Sequence, residues 1–186
     1  MKKMFSSIVG FFKKNMVLVK FYSLLLYLWL LFYFFLHWKV TTDYIATYLP
    51  IFMAETVAAI LNLFGLTTVT HGPSLTIESA FSFSIIYQCA GIFGMMIYTA
   101  AVIAFPSTIK EKSIGLLIGI PGLYVVNTVR MTALGIIGLY WRDLFDWFHE
   151  WMWQGIFIIF VIFFWLVWKE KFVHSDTQAP REASAA

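Results

Sequence analysis

From Met16 to Trp38 the chain is apolar apart from a single charge, Lys20. At about 1.5 Å per helical residue, such a run covers the ~30 Å hydrocarbon core of a bilayer, so it reads as a membrane helix. Lys2, Lys3, Lys13 and Lys14 precede it as they would precede a secretion signal, but the run is too long for one and no small-residue cleavage site follows. The expected element is an uncleaved anchor with its N-terminus in the cytoplasm. Composition extends the conclusion to the whole chain. Of 186 residues, 61% are hydrophobic and only 12% charged, which leaves too little polar surface for a water-soluble domain. The net charge of +3 is too small to suggest a nucleic-acid partner, and one Cys excludes an internal disulfide framework.

Three further spans follow: Tyr87 to Phe105, Ser113 to Trp141 with Pro121 as a kink, and Phe148 to Trp168. The loop from Pro106 to Lys112 and the segment starting Lys169-Glu170-Lys171 are basic, so the positive-inside rule assigns both to the cytoplasm. Tyr44 to Leu66 is also fairly apolar, but counting it as a full crossing would force the N-terminal Lys cluster outside. Thr47, Glu55 and Asn62 recur in it at roughly helical spacing, which predicts an amphipathic helix at the outer interface. Ten of the 13 basic residues then lie inside, with Lys39 and Arg142 outside and Arg130 within a span.

Between Gly65 and Ile86, β-branched residues surround Gly72-Pro73, the pattern of a short outward-facing hairpin. The expected fold is therefore an all-α polytopic membrane protein with about four transmembrane helices, an outer-interface amphipathic helix and this hairpin. Residues 1–15 read as a cytoplasmic basic N-terminus, 16–168 as a single membrane domain, and 169–186 as a cytoplasmic, disordered tail.

Few residues inside the apolar part carry chemistry. Cys89 falls in the first turn or so of the second span, on the outer side, where a helix N-terminus favours a thiolate. Ala90, Gly91 and Gly94 remove bulk around it, which admits either a substrate chain or simply another helix. Arg130 lies deep in an apolar helix, an environment that costs at least ~2.5 kcal/mol and requires a partner, a cavity or the interface. Asn127 lies one turn away on the same face, and a structural ion pair of Arg130 with Glu55 or Asp146 is the alternative to a functional role. His149 follows the aromatic and charged belt Trp141 to Phe148 at the outer interface, with Asp146 three residues before it as a candidate partner for a ring nitrogen. His37 and His71 have no acidic neighbour close by, and His174 lies on the cytoplasmic side. Thiol, imidazole and guanidinium on three helices are the groups that acyl transfer needs. No His, Cys and carboxylate spacing resembles a metal-ligand set, and no cofactor is expected.

Gln88-Cys89-Ala90-Gly91, Asn127-Thr128-Val129-Arg130 and Phe148-His149-Glu150, in that order, resemble the exosortase/archaeosortase family of membrane transpeptidases. The likeness runs from about Pro50 to Trp168. The segment Gly65 to Gly72, the Ala104-Phe105-Pro106 helix end and Trp153-Gln154 look closest to its short, exosortase H-type members. The family pattern has Ser, Thr or Asn after the Cys, where this chain has Ala90. The resemblance implies a catalytic set of Cys89, Arg130 and His149 open to the outer face of the plasma (inner) membrane. Asn127, Gln88 and Gly91 flank it as substrate-binding candidates. It implies as partners secreted or surface proteins with a C-terminal signal of short motif, membrane helix and basic tail, alongside membrane lipids. Such a signal would be cleaved and the new C-terminus transferred or released. The residues alone also allow a non-enzymatic transport or assembly subunit, in which Arg130 holds an anionic lipid and Cys89 merely packs.

Overall fold

Lipid offers no partner to backbone N–H and C=O groups, so the apolar stretches of this chain satisfy theirs internally as helices. A computed structural model describes residues 16–149 and 153–173. Its elements are α1 (Met16–His37), α2 (Lys39–Leu63), β1 (Thr68–His71), β2 (Ser74–Ile77), β3 (Phe81–Ser84), α3 (Ile92–Ala104), α4 (Ile109–Tyr140), α5 (Arg142–Trp147) and α6 (Trp153–Phe172). Among the described residues, Leu18–His37, Thr41–Leu63 and Ile109–Tyr140 are long and apolar enough to cross a membrane. The protein is thus a polytopic, mostly helical membrane protein with a minor sheet.

The long helix α4 organises the rest. A capping box starts it: the Thr108 hydroxyl accepts from the Glu111 N–H, and the Glu111 carboxylate accepts from the Thr108 N–H. Its 32 residues extend about 48 Å, roughly 18 Å more than a hydrocarbon core needs. The two halves belong to different cores. Leu123 packs with Tyr98, Val102, Phe157, Val161 and Trp168, while Met131 and Leu134 pack with Met53, Val57, Leu61, Leu75 and Phe81.

Close packing in the first core depends on Gly119. The ring of Tyr98, which is buried and donates its hydroxyl to Gly115 O at 2.8 Å, sits where a Cβ on Gly119 would lie 2.2 Å away. Gly119→Ala is expected to destabilise the protein by about 1–3 kcal/mol. Gly155→Ala, which meets open space, should be neutral or slightly stabilising. Thermal unfolding of the two variants in detergent checks this.

One end of the bundle is basic. Lys112 donates to Ile103 O at 2.7 Å, Lys169 lies over the rings of Phe105 and Trp165, and Trp168 donates to Glu111 O. Phe21, next to Lys20, packs on Phe105 at the same end. From there α1 runs away from the basic end, with Leu36 reaching a cavity that Ile92 and Ile120 also line. The last turn of α6 carries Lys169 and Lys171.

Several expectations are corrected here. The helix of the second expected span covers only Ile92–Ala104, 13 residues or about 20 Å, because Gly91 takes a left-handed φ of 81° and breaks the helix start. The described part of the last span runs from Trp153 to Phe172, past the expected end at Trp168. The expected hairpin is a three-stranded antiparallel meander in the order β1-β2-β3. Its Leu75, Ile77 and Phe81 are buried, whereas Ser74, Thr76, Ser82 and Ser84 carry the hydroxyl face.

The helix expected over Tyr44–Leu66 is not amphipathic. Met53, Ala54, Val57 and Leu61 are buried, yet Tyr44, Tyr48, Phe52 and Leu63 are exposed and equally apolar. By length and composition α2 qualifies as a crossing. Its contacts run in the same sense as α4, however: Phe52 meets Tyr124, the Thr128 hydroxyl meets the Met53 sulfur, and Leu61 faces Gly135. The chain therefore continues away from the basic end after Trp38 instead of returning to it, and the conflict over the N-terminal side does not arise. Residues 1–15 and 174–186, including most of the expected tail, lie outside the described residues.

Candidate active site

Cys89 sits in a turn between β3 and α3, where its N–H donates to Ile86 O at 2.9 Å. The next constraint comes from α4. Asn127, fully buried, donates its Nδ2–H to the carbonyl of Cys89 at 3.0 Å. Gly91 presses on the same side chain, since a Cβ there would lie 3.0 Å from Asn127 Cγ. Any larger residue at 91 would both strain the backbone and displace the clamp on the Cys89 turn.

His149 comes from far along the chain to the same place. Its Nε2 is 3.2 Å from Cys89 Sγ. Its ring stacks on Phe145 with centroids 5.6 Å apart and planes 6° from parallel, and Phe145 rests in turn on Phe81 and Phe83 of β3. The sheet thereby fixes the plane of the imidazole. His149 lies just beyond α5, and Asp146, three residues before it, is exposed.

Arg130 is 8% exposed, one turn of α4 beyond Asn127, and its charge acts on Cys89. Glu55, considered as a structural partner, is exposed on α2. Two buried polar atoms on this face of α4, Asn127 Oδ1 and Arg130 Nε, have no hydrogen-bond partner among the described residues. Arg130 is about 31 Å along α4 from Ile109, so a helix whose basic end meets one membrane surface brings the guanidinium to the other.

Burial pushes the Cys89 thiol above its ordinary value, and the Arg130 charge opposes that rise. The helix-dipole effect expected at Cys89 is weaker than its sequence position suggests, because α3 starts three residues later, at Ile92. A raised thiol pKa means that the reactive thiolate accumulates as pH increases. Alkylation of Cys89 by N-ethylmaleimide should accelerate from pH 6 to pH 9. His149→Ala should slow it several-fold at pH 7 by removing the nearby base, as mass spectrometry of the modified protein would show.

Of the residues singled out in the sequence, Cys89, Arg130, His149, Asn127 and Gly91 converge. Gln88 is adjacent and exposed. Gly94 is not part of the site, because it receives the ring of Phe157. His37 is used locally, its Nδ1 within 2.8 Å of Tyr33 O. Glu150 and His174 lie outside the described residues, as do the side chains of Trp153 and Gln154. Phe145 was missed, although its position four residues before His149 is the spacing that stacks two rings on a helix. The third strand was missed too, despite the apolar/polar alternation Phe81-Ser82-Phe83-Ser84.

A family model described as Transmembrane exosortase (Exosortase_EpsH) matches residues 5–168. No curated protein and no solved structure matches the chain.

Proposed function

The chain belongs to the transmembrane exosortase family, and from that premise we propose that it is a membrane cysteine transpeptidase acting on the C-terminal sorting signal of secreted proteins. The observation that carries this reading is the 3.2 Å contact between Cys89 Sγ and His149 Nε2, with the Arg130 charge acting on the same thiol. Family membership alone suggests a transpeptidase role in general terms, and the residue roles are our reading of the geometry.

In the proposed reaction, His149 Nε2 takes the Cys89 proton and the thiolate attacks the scissile carbonyl. Negative charge develops on the carbonyl oxygen, where Arg130 stabilises it. Collapse breaks the C–N bond, His149 returns the proton to the leaving amine, and the substrate's new C-terminus remains as a thioester on Cys89. An incoming amine or water, deprotonated by His149, then releases it. Asn127 holds the Cys89 turn through its carbonyl. The buried Asn127 Oδ1 and Arg130 Nε are an acceptor and a donor positioned to be satisfied in the substrate complex. With the Lys112 and Lys169 end in the cytoplasm, the site opens at the outer face of the plasma membrane.

The test is co-expression with a protein ending in a short motif, a membrane helix and a basic tail, with processing followed by gel shift. Wild type should convert it and Cys89→Ala should not; equal processing by both overturns the reading. The rival subunit reading, in which Cys89 only packs, requires Cys89→Ala to be silent.

A further inference from the structure

We propose that the open edge of β3 is the docking strand for the substrate's extended motif, pairing with it backbone to backbone and delivering the scissile carbonyl to Cys89. This rests on the transpeptidase reading and adds to it where and how the substrate chain lies.

The phase of the sheet determines which groups face that edge. Strands β2 and β3 pair with Leu75 opposite Phe83 and Ile77 opposite Phe81, and one step further on Ile85 N–H donates to Pro73 O at 3.0 Å. In an antiparallel ladder, directly opposed residues alternate between bonded and non-bonded pairs. Phe81, Phe83 and Ile85 therefore turn their main-chain groups toward β2, and Ser82 and Ser84 turn theirs away. The carbonyl of Ala80, on the same side as those of Ser82 and Ser84, provides an independent check: it accepts from the Arg142 guanidinium at 2.6 Å, across the edge toward α5. Ser82 and Ser84 are exposed, and among the described residues nothing bonds their main-chain N–H and C=O groups.

An exposed edge is ordinarily blunted by Lys, Pro or a bulge, and Phe81-Ser82-Phe83-Ser84 carries none of these. Its place in the fold favours substrate over any other occupant. Ser84 is five residues from Cys89, whose Sγ lies 3.2 Å from His149 Nε2. Phe81 and Phe83 carry one side of β3 and meet Phe145 of α5, and the imidazole of His149 stacks on Phe145 in turn. The hydroxyls of Ser74, Thr76, Ser82 and Ser84 form the other side. A peptide added to β3 would present alternate side chains to the aromatic and hydroxyl sides, as in other strand-addition complexes. The opposite edge, on β1, is tied back to α2 through Thr68 and Asn62 and does not lead to the thiol.

The experiment separates main chain from side chain. Ser82→Pro removes one outward N–H at an edge position where proline is tolerated, and Ser82→Ala removes only the hydroxyl. With a motif-bearing substrate, Ser82→Pro should raise KM about 3- to 10-fold with kcat nearly kept, the effect of one lost hydrogen bond, and Ser82→Ala should match wild type. The rate of N-ethylmaleimide reaction at Cys89 confirms that the Ser82→Pro site is intact. If that variant does not fold, a series of motif peptides N-methylated at one residue at a time provides the same test on wild-type protein: processing should be impaired at every second position. Unchanged KM for Ser82→Pro, or a flat N-methyl series, overturns the proposal. So does a change in oligomeric state without a change in KM, which would assign the edge to a second copy of this chain. If Cys89→Ala is inactive while these results are flat, only the docking strand fails; if Cys89→Ala still processes substrate, the transpeptidase reading fails first.

Discussion

Cys89→Ser is expected to reduce processing of a sorting-signal substrate by roughly 10³-fold or more, nearly as much as Cys89→Ala, while leaving thermal stability within error of wild type. The substitution exchanges one sulfur for an oxygen at the end of a side chain whose backbone is held independently, by Asn127 at the Cys89 carbonyl and by the Cys89 N–H to Ile86 O. Geometry therefore survives. Ionisation does not, because a hydroxyl is scarcely ionised at neutral pH, and a Cys thiol, even pushed up by burial, is far more acidic. Loss of a nucleophile that acts with its base as one unit removes most of the rate. Initial rates from gel shift, alongside unfolding in detergent, give the two numbers. Processing by Cys89→Ser within a few-fold of wild type would exclude thiol catalysis, and a coincident drop in stability would reassign Cys89 to packing.

The membrane class was legible in the sequence, and Arg130 and Cys89 stood out as candidates because charge is so scarce and Cys89 is the one thiol. Helix lengths were less legible. Tyr87 to Phe105 reads as one apolar run, but a single positive φ at Gly91 divides it, and hydropathy carries no information about φ. Extension of α4 to 32 residues likewise depends on the capping box at Thr108 and Glu111, inside a loop read as polar. The α2 stripe of Thr47, Glu55 and Asn62 misled for a specific reason. Asn62 is exposed, but its Oδ1 accepts from both the N–H and the hydroxyl of Thr68 and ties β1 to the helix end. The approach of His149 to Cys89 is set by the stack of Phe145 on β3, a long-range contact that no local pattern encodes.

Arg130 is expected to show opposite effects on activity and stability. Arg130→Gln should lower kcat by about 10²- to 10³-fold with a much smaller change in KM, the loss typical of removing one preorganised donor to a developing oxyanion. Arg130→Lys should rescue little of it. A guanidinium presents planar donors from a fixed fork, whereas a Lys ammonium is a compact, strongly hydrated charge on a flexible stem, and this site is buried and shaped by Asn127 beside it. The subunit reading makes the reverse prediction, since a binding charge for an anionic head group survives Arg→Lys in part. Stability separates a catalytic Arg from a structural one. A residue kept for folding would carry a satisfied side chain, but Arg130 Nε is buried without a hydrogen-bond partner among the described residues, and a cation in that environment is unfavourable. Arg130→Met, similar in length and apolar, should therefore unfold at the same temperature as wild type or higher while being as inactive as Arg130→Gln. If Arg130→Met lost stability and activity together, or Arg130→Lys worked within a few-fold of wild type, the residue would be a structural or binding charge and the oxyanion role would have to pass to backbone N–H groups near Cys89.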